Sequence, residues 1–215
     1  MKTKLISISN PLVTGINNAE ELISYCARVS NPSNQLNTET APKLLNYLIK
    51  HKHWSPFEMV SATFEIKTCR AIAAQILRHR SFSFQEFSQR YSTATQLERI
   101  ELRKQGKTNR QVGDEPLNIS EYIEVFDKIE KLQQDSINLY NEMVSQGIAK
   151  ECARMVLPLN TQTTLYMSGT IRSWIHYIDL RGSQDTQKEH REIVLEIKDT
   201  FKKYFPNVSE ALGWI

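Results

Sequence analysis

Val60-Ser61-Ala62-Thr63-Phe64-Glu65-Ile66-Lys67-Thr68-Cys69-Arg70-Ala71-Ile72-Ala73-Ala74-Gln75-Ile76-Leu77 is the stretch in which the chain changes its period. Val60, Ala62, Phe64 and Ile66 alternate with Ser61, Thr63, Glu65 and Lys67, the period of two that a half-buried strand requires. Cys69, Ile72, Ala73, Ile76 and Leu77 then fall on one helical stripe, which leaves Gln75 and Arg78 together on the opposite side. A strand feeding a helix, among further helical patterns, predicts an α+β fold with a small, mainly antiparallel sheet flanked by long helices. The order of the strands is not readable at this level.

Arg78-His79-Arg80 is expected to be the last turn of that helix, running into Ser81-Phe82-Ser83-Phe84-Gln85-Glu86-Phe87-Ser88-Gln89-Arg90. This segment concentrates cations, hydroxyls and aromatics without an aliphatic run, a poor recipe for a core. Between Thr68 and Ser92 four arginines stand against Glu86 alone, so the segment's formal balance equals the +3 of the whole 215-residue chain. Guanidiniums offer paired donors to phosphate, and Ser83, Ser88 and the Gln85 amide add adaptable ones, a set suited to a phosphate and a polar heterocycle. The competing reading is a solvated turn with scattered ion pairs. Phe82, Phe84 and Phe87 weigh against it, since a solvated turn rarely carries three aromatics.

Upstream, Leu5, Ile6 and Ile8 predict a short strand closed by Asn10-Pro11 and Gly15. Asn17 or Asn18 caps a helix carrying Leu22, Ile23 and Ala27, which stops before Ser30. Thr38 or Thr40 caps a second helix with Pro42 in its first turn and Leu44, Leu45, Leu48 and Ile49 at helical spacing, ending at His51. Downstream, Thr93 to Asn118 fades into polar residues with Gly106, Gly113 and Pro116 and is expected to be a long loop or lid. Ser120 caps a long helix ending at Gly147. A short helical turn carries Ile148, Cys152 and Ala153, with Arg154 pointing off it. Thr161 to Met167 predicts a second strand. Ile171, Trp174, Ile175 and Ile178 then mark a helix with Arg172, His176 and Asp179 on its other face. Thr186 to Phe205 is the last helix expected, ended by Pro206.

At 40% hydrophobic and 24% charged residues, with no linker-like tract, the chain is expected to form one domain spanning residues 1–215. A pI near 8.7 is too mildly basic to argue for nucleic acid. Cys26, Cys69 and Cys152 are odd in number and widely spaced, which opposes a disulfide framework or thiolate zinc site and points to a reducing compartment. No apolar run is long enough to span a bilayer, and the opening lacks a leader pattern, so the expectation is a cytoplasmic protein without membrane partners. His51, His53 and His79 have no nearby Asp or Cys to complete a ligand set, so no metal is expected. Cys69 and Cys152 read as core thiols on apolar faces. No Gly-x-Gly-x-x-Gly is present, which disfavours a Rossmann mode of nucleotide binding.

Arg78, His79, Arg80, Ser83, Gln85, Ser88 and Arg90 together give Arg-His-Arg-x-x-Ser-x-(Asn/Gln)-x-x-Ser-x-Arg, which closely resembles the signature of the flavin-dependent thymidylate synthases. The resemblance extends to Ala27-Arg28-Val29-Ser30, to His53-Trp54-Ser55-Pro56-Phe57-Glu58, to Ala153-Arg154-Met155-Val156-Leu157-Pro158 and to the helix from Arg172 to Arg181. Gln85 stands where the family usually has Asn, Met59 where a His commonly follows. Thr170 and His176 replace family Asn residues, and Asp185 replaces a His. Only Thr93 to Asn118 lacks a clear counterpart.

The resemblance implies conversion of dUMP to dTMP, with methylenetetrahydrofolate as one-carbon donor and FAD, reduced by NADPH, as redox carrier, and without a cysteine nucleophile. It implies that Gln75, Arg78, Glu86, Phe87, Ser88, Gln89, Arg90 and Arg181 hold dUMP, with Arg154 reaching across from a neighbouring subunit of a homotetramer. It implies FAD contacts at Ser30, Ser55, Glu58, Arg78, His79, Arg80, Gln85, Glu86, Arg172 and His176. Ser88, Arg181 and His53 are the implied catalytic residues, His53 in the flavin and folate region. The alternative from another class is a basic nucleotide- or RNA-binding module in which Phe82, Phe84 and Phe87 stack on bases.

Overall fold

The computed structural model describes residues 2–93 and 95–215. Its strands are β1 (Lys2–Ile8), β2 (Ser61–Cys69), β3 (Ser83–Glu86), β4 (Arg103–Gln105), β5 (Gly113–Pro116) and β6 (Gln162–Thr170). Its helices are α1 (Ala19–Ala27), α2 (Ala41–Lys50), α3 (Arg70–Ile76), α4 (Ile123–Ser145), α5 (Lys150–Ala153), α6 (Ile171–Arg181), α7 (Lys188–Tyr204) and α8 (Pro206–Ala211). Four strands form an antiparallel sheet in the order β1-β2-β6-β3, and β4 and β5 form a separate hairpin. The fold is the expected α+β class, and of the four strands in the main sheet only β3 was not expected.

The alternation in β2 does what period two requires. Ala62, Phe64 and Ile66 are buried beside Leu165 and Met167 of β6, while Ser61 and Lys67 are exposed. Helices α3, α6 and α7 cover that inner face through Ile72, Ile76, Trp174, Ile178, Ile193 and Ile197. The outer face is polar, with Thr63 hydrogen-bonded to Ser168 at 2.9 Å and the Tyr166 hydroxyl donating to Glu65 at 2.9 Å. Asn18 caps α1, its Oδ1 accepting from the Glu21 N–H at 2.9 Å while Glu21 accepts from Asn17 N–H at 2.7 Å, a reciprocal capping arrangement.

Several expectations are corrected. Strand β2 runs on through Thr68 and Cys69, and α3 stops at Ile76, so Arg78 to Arg80 form a turn beyond the helix rather than its last turn. The cause is Phe82. Its ring is buried edge-on against Trp174, with centroids 4.7 Å apart, in space that Gly169 leaves open. A Cβ on Gly169 would lie 2.4 Å from Phe82 Cδ1, so β6 admits the ring only because residue 169 is glycine. The 78–90 segment is therefore anchored in the core and contributes β3, where it was expected to avoid both.

Residues 95–118 are not a free loop, and position 94 of the expected loop lies outside the described residues. Leu97 bridges to Thr161, Glu98 N–H donates to the Asn160 carbonyl at 2.8 Å, and the β4–β5 hairpin is tied to the start of α7 by Arg103–Glu189 and Lys188–Glu101 ion pairs, each 2.6 Å. Polar side chains hold the segment, which is why no apolar periodicity announced it. Ser120 belongs to a short 3-10 turn and Tyr122 precedes α4, so Ser120 is not the expected cap. Cys69 is buried but Cys152 is exposed, because α5 is only four residues long and hides Ala153 instead. Pro206 ends α7 and also opens α8 from its first turn, so α7 is not the last helix. No helix among the described residues is long and apolar enough to cross a membrane.

Candidate functional site

The exposed end of α3, the end of α6 and the approach to α7 enclose a pocket of about 340 Å³ lined by Gln75, Arg78, Gln111, Arg181, Asp185, Thr186 and Gln187. Gln75 sits opposite the buried stripe of α3, and Arg181 closes the last turn of α6. Because α7 begins at Lys188 rather than Thr186, Thr186 and Gln187 remain in the connection and turn into the pocket. The β4–β5 turn supplies Gln111.

Arg181 does not hang free in this pocket. Its Nε–H donates to His79 Nε2 at 2.9 Å, which requires His79 to be neutral with its proton on Nδ1. The fold enforces that state: burial first, then the charges of Arg181 and His176, bring His79 down to about 4. His190, fully buried below, is brought down to about 3 by burial and then by Arg181 and His79. His79, expected to contact flavin, is thus turned inward to hold Arg181, leaving the terminal guanidinium nitrogens for a ligand.

The two neutral histidines set a pH dependence of stability. Unfolded, both take up protons near the ordinary value of about 6.5. Folded, they resist protonation until about 4 and about 3. The unfolded chain therefore binds more protons between those limits, so stability is complete above about pH 6.5 and falls as pH drops toward 4. Melting curves at constant salt from about pH 7.5 down to about pH 5 are expected to show a falling Tm. A flat profile would contradict the neutral assignment.

A second pocket of about 460 Å³ lies along the exposed face of α6, lined by Trp54, Glu58, Ser81, Arg172, Ser173, Ile175, His176 and Asp179. Arg172 donates to Glu58 at 2.6 Å, an exposed pair of little net stabilisation that an anionic ligand can rearrange at small cost.

The remaining expected residues lie elsewhere. Gln85 pairs with Tyr166 on the outer face of the sheet, and Glu86 faces inward. Glu86 accepts from Arg70 at 2.8 Å and from Thr163 at 2.9 Å, and Arg70 also donates to the Phe87 carbonyl at 3.0 Å. Ser88 closes a turn by accepting from the N–H groups of Tyr91 and Ser92, so its hydroxyl and the Arg90 guanidinium are both presented outward. Gln89 is buried with an unpartnered Nε2. Arg154 is half-buried and its Nε also lacks a partner. Ser30, Ser55 and Arg80 are exposed.

His53 owes its place to a backbone device. Lys52 adopts φ 58°, with Lys52 N–H bonded to Ile49 and His53 N–H to Leu48, the paired closure that ends α2 with a left-handed residue. A non-glycine residue there carries strain of about 1 kcal/mol. The turn leaves His53 exposed, 5.9 Å from the ring of Tyr47.

One chain thus brings together Gln75, Arg78 and Arg181, and separately Glu58, Arg172 and His176, while Ser30, His53, Ser55, Arg80, Gln85, Glu86, Ser88, Arg90 and Arg154 line neither pocket. Sequence reading missed Gln111, Thr186, Gln187, Tyr177 and His190. Gln187 and Thr186 were hidden in an expected helix, and His190 carried no motif. Phe82 and Phe84 pack into the core, which removes two of the three stacking groups that the RNA-binding alternative needs.

The molecule is thus an α+β protein with arginines in two surface pockets, Arg78 and Arg181 in one and Arg172 in the other. The same fold is found in the UMP/dUMP methylase PolB from Streptomyces cacaoi bound with 5-Br UMP, which matches with a TM-score of 0.79 at 26% identity over 99% of this chain and 93% of that one. Residues 11–207 match the family model described as thymidylate synthase complementing protein. A probable flavin-dependent thymidylate synthase from Paramecium bursaria Chlorella virus 1 is 52% identical, and a flavin-dependent thymidylate synthase from Synechocystis sp. is 50% identical, each over the full length of both chains. A flavin-dependent thymidylate synthase from Thermus thermophilus is 34% identical over 87% of this chain and 69% of its own. The chain belongs to the flavin-dependent thymidylate synthase family of enzymes.

Proposed function

We propose that this protein converts dUMP to dTMP with methylenetetrahydrofolate as one-carbon donor and FAD reduced by NADPH. The observation that carries the reading is the pocket in which Gln75, Arg78 and an Arg181 pre-set by His79 converge. An anionic nucleotide meets two permanent cations and an amide there, and Arg181 offers donors to a uracil carbonyl edge as negative charge develops. Ser88 and Arg90, outward-facing at the far end of the segment, are assigned to the phosphate.

The pocket along α6 sets Arg172 and His176 beside the carboxylates of Glu58 and Asp179, with Ser81 and Ser173 as further polar groups, a mixed lining that suits the polar parts of a flavin dinucleotide by hydrogen bonding rather than by net charge. Arg172 and His176 line one open pocket, exposed Arg80 and Ser55 lie outside it, and Arg172 is held only by an exposed carboxylate. FAD, when bound, supplies the redox chemistry. The chain's own part is to orient ligands and place fixed charges. Ser30, Glu58, Gln85 and His53 complete this assignment, His53 at the flavin and folate side. The division of these residues between separate places supports shared sites in a homotetramer, with half-buried Arg154, which lines neither pocket of its own chain, assigned to a neighbouring subunit's site. The reading uses no thiolate: Cys69 is buried, burial pushes the Cys26 thiol up, and exposed Cys152 lines neither pocket. The reading takes the chain as one cytoplasmic domain.

Tritium release from dUMP labelled at C5, with methylenetetrahydrofolate, NADPH and FAD-loaded protein, is the test. Release is expected, and none at saturating substrates would sink the synthase reading. In the same assay Ser88→Ala and Arg90→Ala are expected to retain yellow FAD while dUMP affinity falls by about tenfold or more, as for lost hydrogen bonds to a charged group. Equal loss of flavin from both would show that the segment is divided wrongly between its ligands.

A further inference from the structure

Beneath the Gln75 pocket a hydrogen-bonded chain runs from the core to the hairpin. Tyr177 Oη lies 2.9 Å from His190 Nε2, and His190 Nδ1 lies 3.3 Å from Gln75 Oε1. Gln75 Nε2 lies 2.7 Å from Gln187 Oε1, Gln187 Nε2 lies 2.9 Å from Glu189 Oε2, and Arg103 Nη2 lies 2.6 Å from Glu189 Oε1. Tyr177 and His190 are fully buried.

The charged end fixes the direction of every other bond. Burial works to raise the Glu189 pKa, but hydrogen bonds from its own backbone N–H, Arg103 and Gln187, with the Arg103 charge, hold it below the usual carboxylate range. An ionised carboxylate only accepts, so the Gln187 group facing it is the NH₂. The Gln187 oxygen then faces Gln75 and requires a donor, so Gln75 presents its NH₂ there and its oxygen to His190. That oxygen requires His190 to carry its proton on Nδ1, which leaves Nε2 bare to accept from the Tyr177 hydroxyl. Burial keeps that phenol protonated, as the chain demands. With His190 held neutral by its burial, no alternative assignment satisfies all five contacts.

We propose that His190 is a positioning residue: with Tyr177 behind it, it locks the Gln75 side-chain amide so that one N–H is spent on Gln187 and the other is aimed at the nucleotide pocket. This rests on the dUMP reading of that pocket. The group recognised by the aimed N–H is an acceptor on the nucleotide, a carbonyl or phosphate oxygen. Arg103 extends the lock to the β4–β5 hairpin, which acts on the Gln75 side chain of α3 through Glu189 and Gln187.

The test uses full-length, FAD-loaded protein. His190→Leu removes the donor and leaves the Gln75 oxygen unpartnered, so dUMP affinity measured by calorimetry is expected to fall about tenfold with FAD content unchanged. His190→Asn restores an N–H near the position of Nδ1 and is expected to return affinity to within about threefold of wild type. Wild-type affinity in a folded, yellow His190→Leu protein, or an Asn variant as weak as Leu, overturns the proposal. Nitrogen-15 NMR of the unmodified protein provides a readout that needs no variant to fold. The Nδ1–H tautomer of His190 is expected, and the Nε2–H tautomer overturns the lock. Wild-type protein that binds no dUMP overturns the functional reading instead, and the tautomer then decides this proposal alone.

Discussion

Arg181→Ala is expected to lower kcat/KM for dUMP by about 10²–10³-fold while the purified protein keeps its flavin colour. The size of the effect follows from how Arg181 is held. Its Nε is committed to neutral His79 at 2.9 Å, so the fork enters the pocket already oriented and loses little freedom on binding. A lysine at this position would keep the charge but neither the fork nor the bond to His79, and Arg181→Lys is expected to recover little of the loss. The alanine variant also withdraws a charge that helps hold His79 at about 4, so the His79 pKa read by NMR should rise in parallel, though burial still depresses it. Normal turnover in Arg181→Ala would place the uracil in some other pocket.

Trp174→Ala is expected to destabilise the fold by about 3–5 kcal/mol, a loss near the limit for a single core truncation. Trp174 is completely buried, packs on Phe64 at 4.8 Å and Phe82 at 4.7 Å, and donates its indole N–H to the Ala62 carbonyl at 3.0 Å. Its removal leaves a cavity between sheet and α6 and withdraws a donor from β2. For a chain of this size the loss corresponds to a Tm lower by about 10 °C or more. Phe82 would lose its support at the same time, so residual folded protein should bind dUMP more weakly. Trp174→Phe, which keeps an aromatic of the right class, is the control: a drop as large as that of alanine would show that the indole hydrogen bond, rather than packing, dominates.

Much of this architecture could be read beforehand where side-chain period and burial coincide. Strand β2, helix α6 and the pairing of Gln75 with Arg78 opposite the α3 stripe followed from spacing alone, because each element has one apolar face and one wet face. Strand β3 escaped notice because Ser83-Phe84-Gln85-Glu86 is only four residues long and buries Phe84 and Glu86 for different reasons, one by packing and one by an Arg70 ion pair. The β4–β5 hairpin escaped because its attachments are charges 86 or 87 residues away in sequence, and no local pattern encodes a distant ion pair. Within the site, the signature residues were legible but their partners were not. The bond of His79 to Arg181 is invisible in the sequence, where the two are 102 positions apart, and His190 acquires meaning only once Tyr177 and Gln75 flank it.

The central pair of the sheet joins residues made far apart in time. Thr63 of β2 and Ser168 of β6 are 105 positions apart in the chain, yet they are direct neighbours in the sheet. On the ribosome, β1 can pair with one edge of β2 early, but the other edge stays bare until β6 emerges, on the order of ten seconds later at ordinary elongation rates. Strand β3, which docks only on β6, waits with it, and Phe82 has no Gly169 to lie against. The nascent polypeptide thus spends that interval with an unpaired strand edge and several aromatics in water, the kind of surface that chaperones bind and that aggregates seed from.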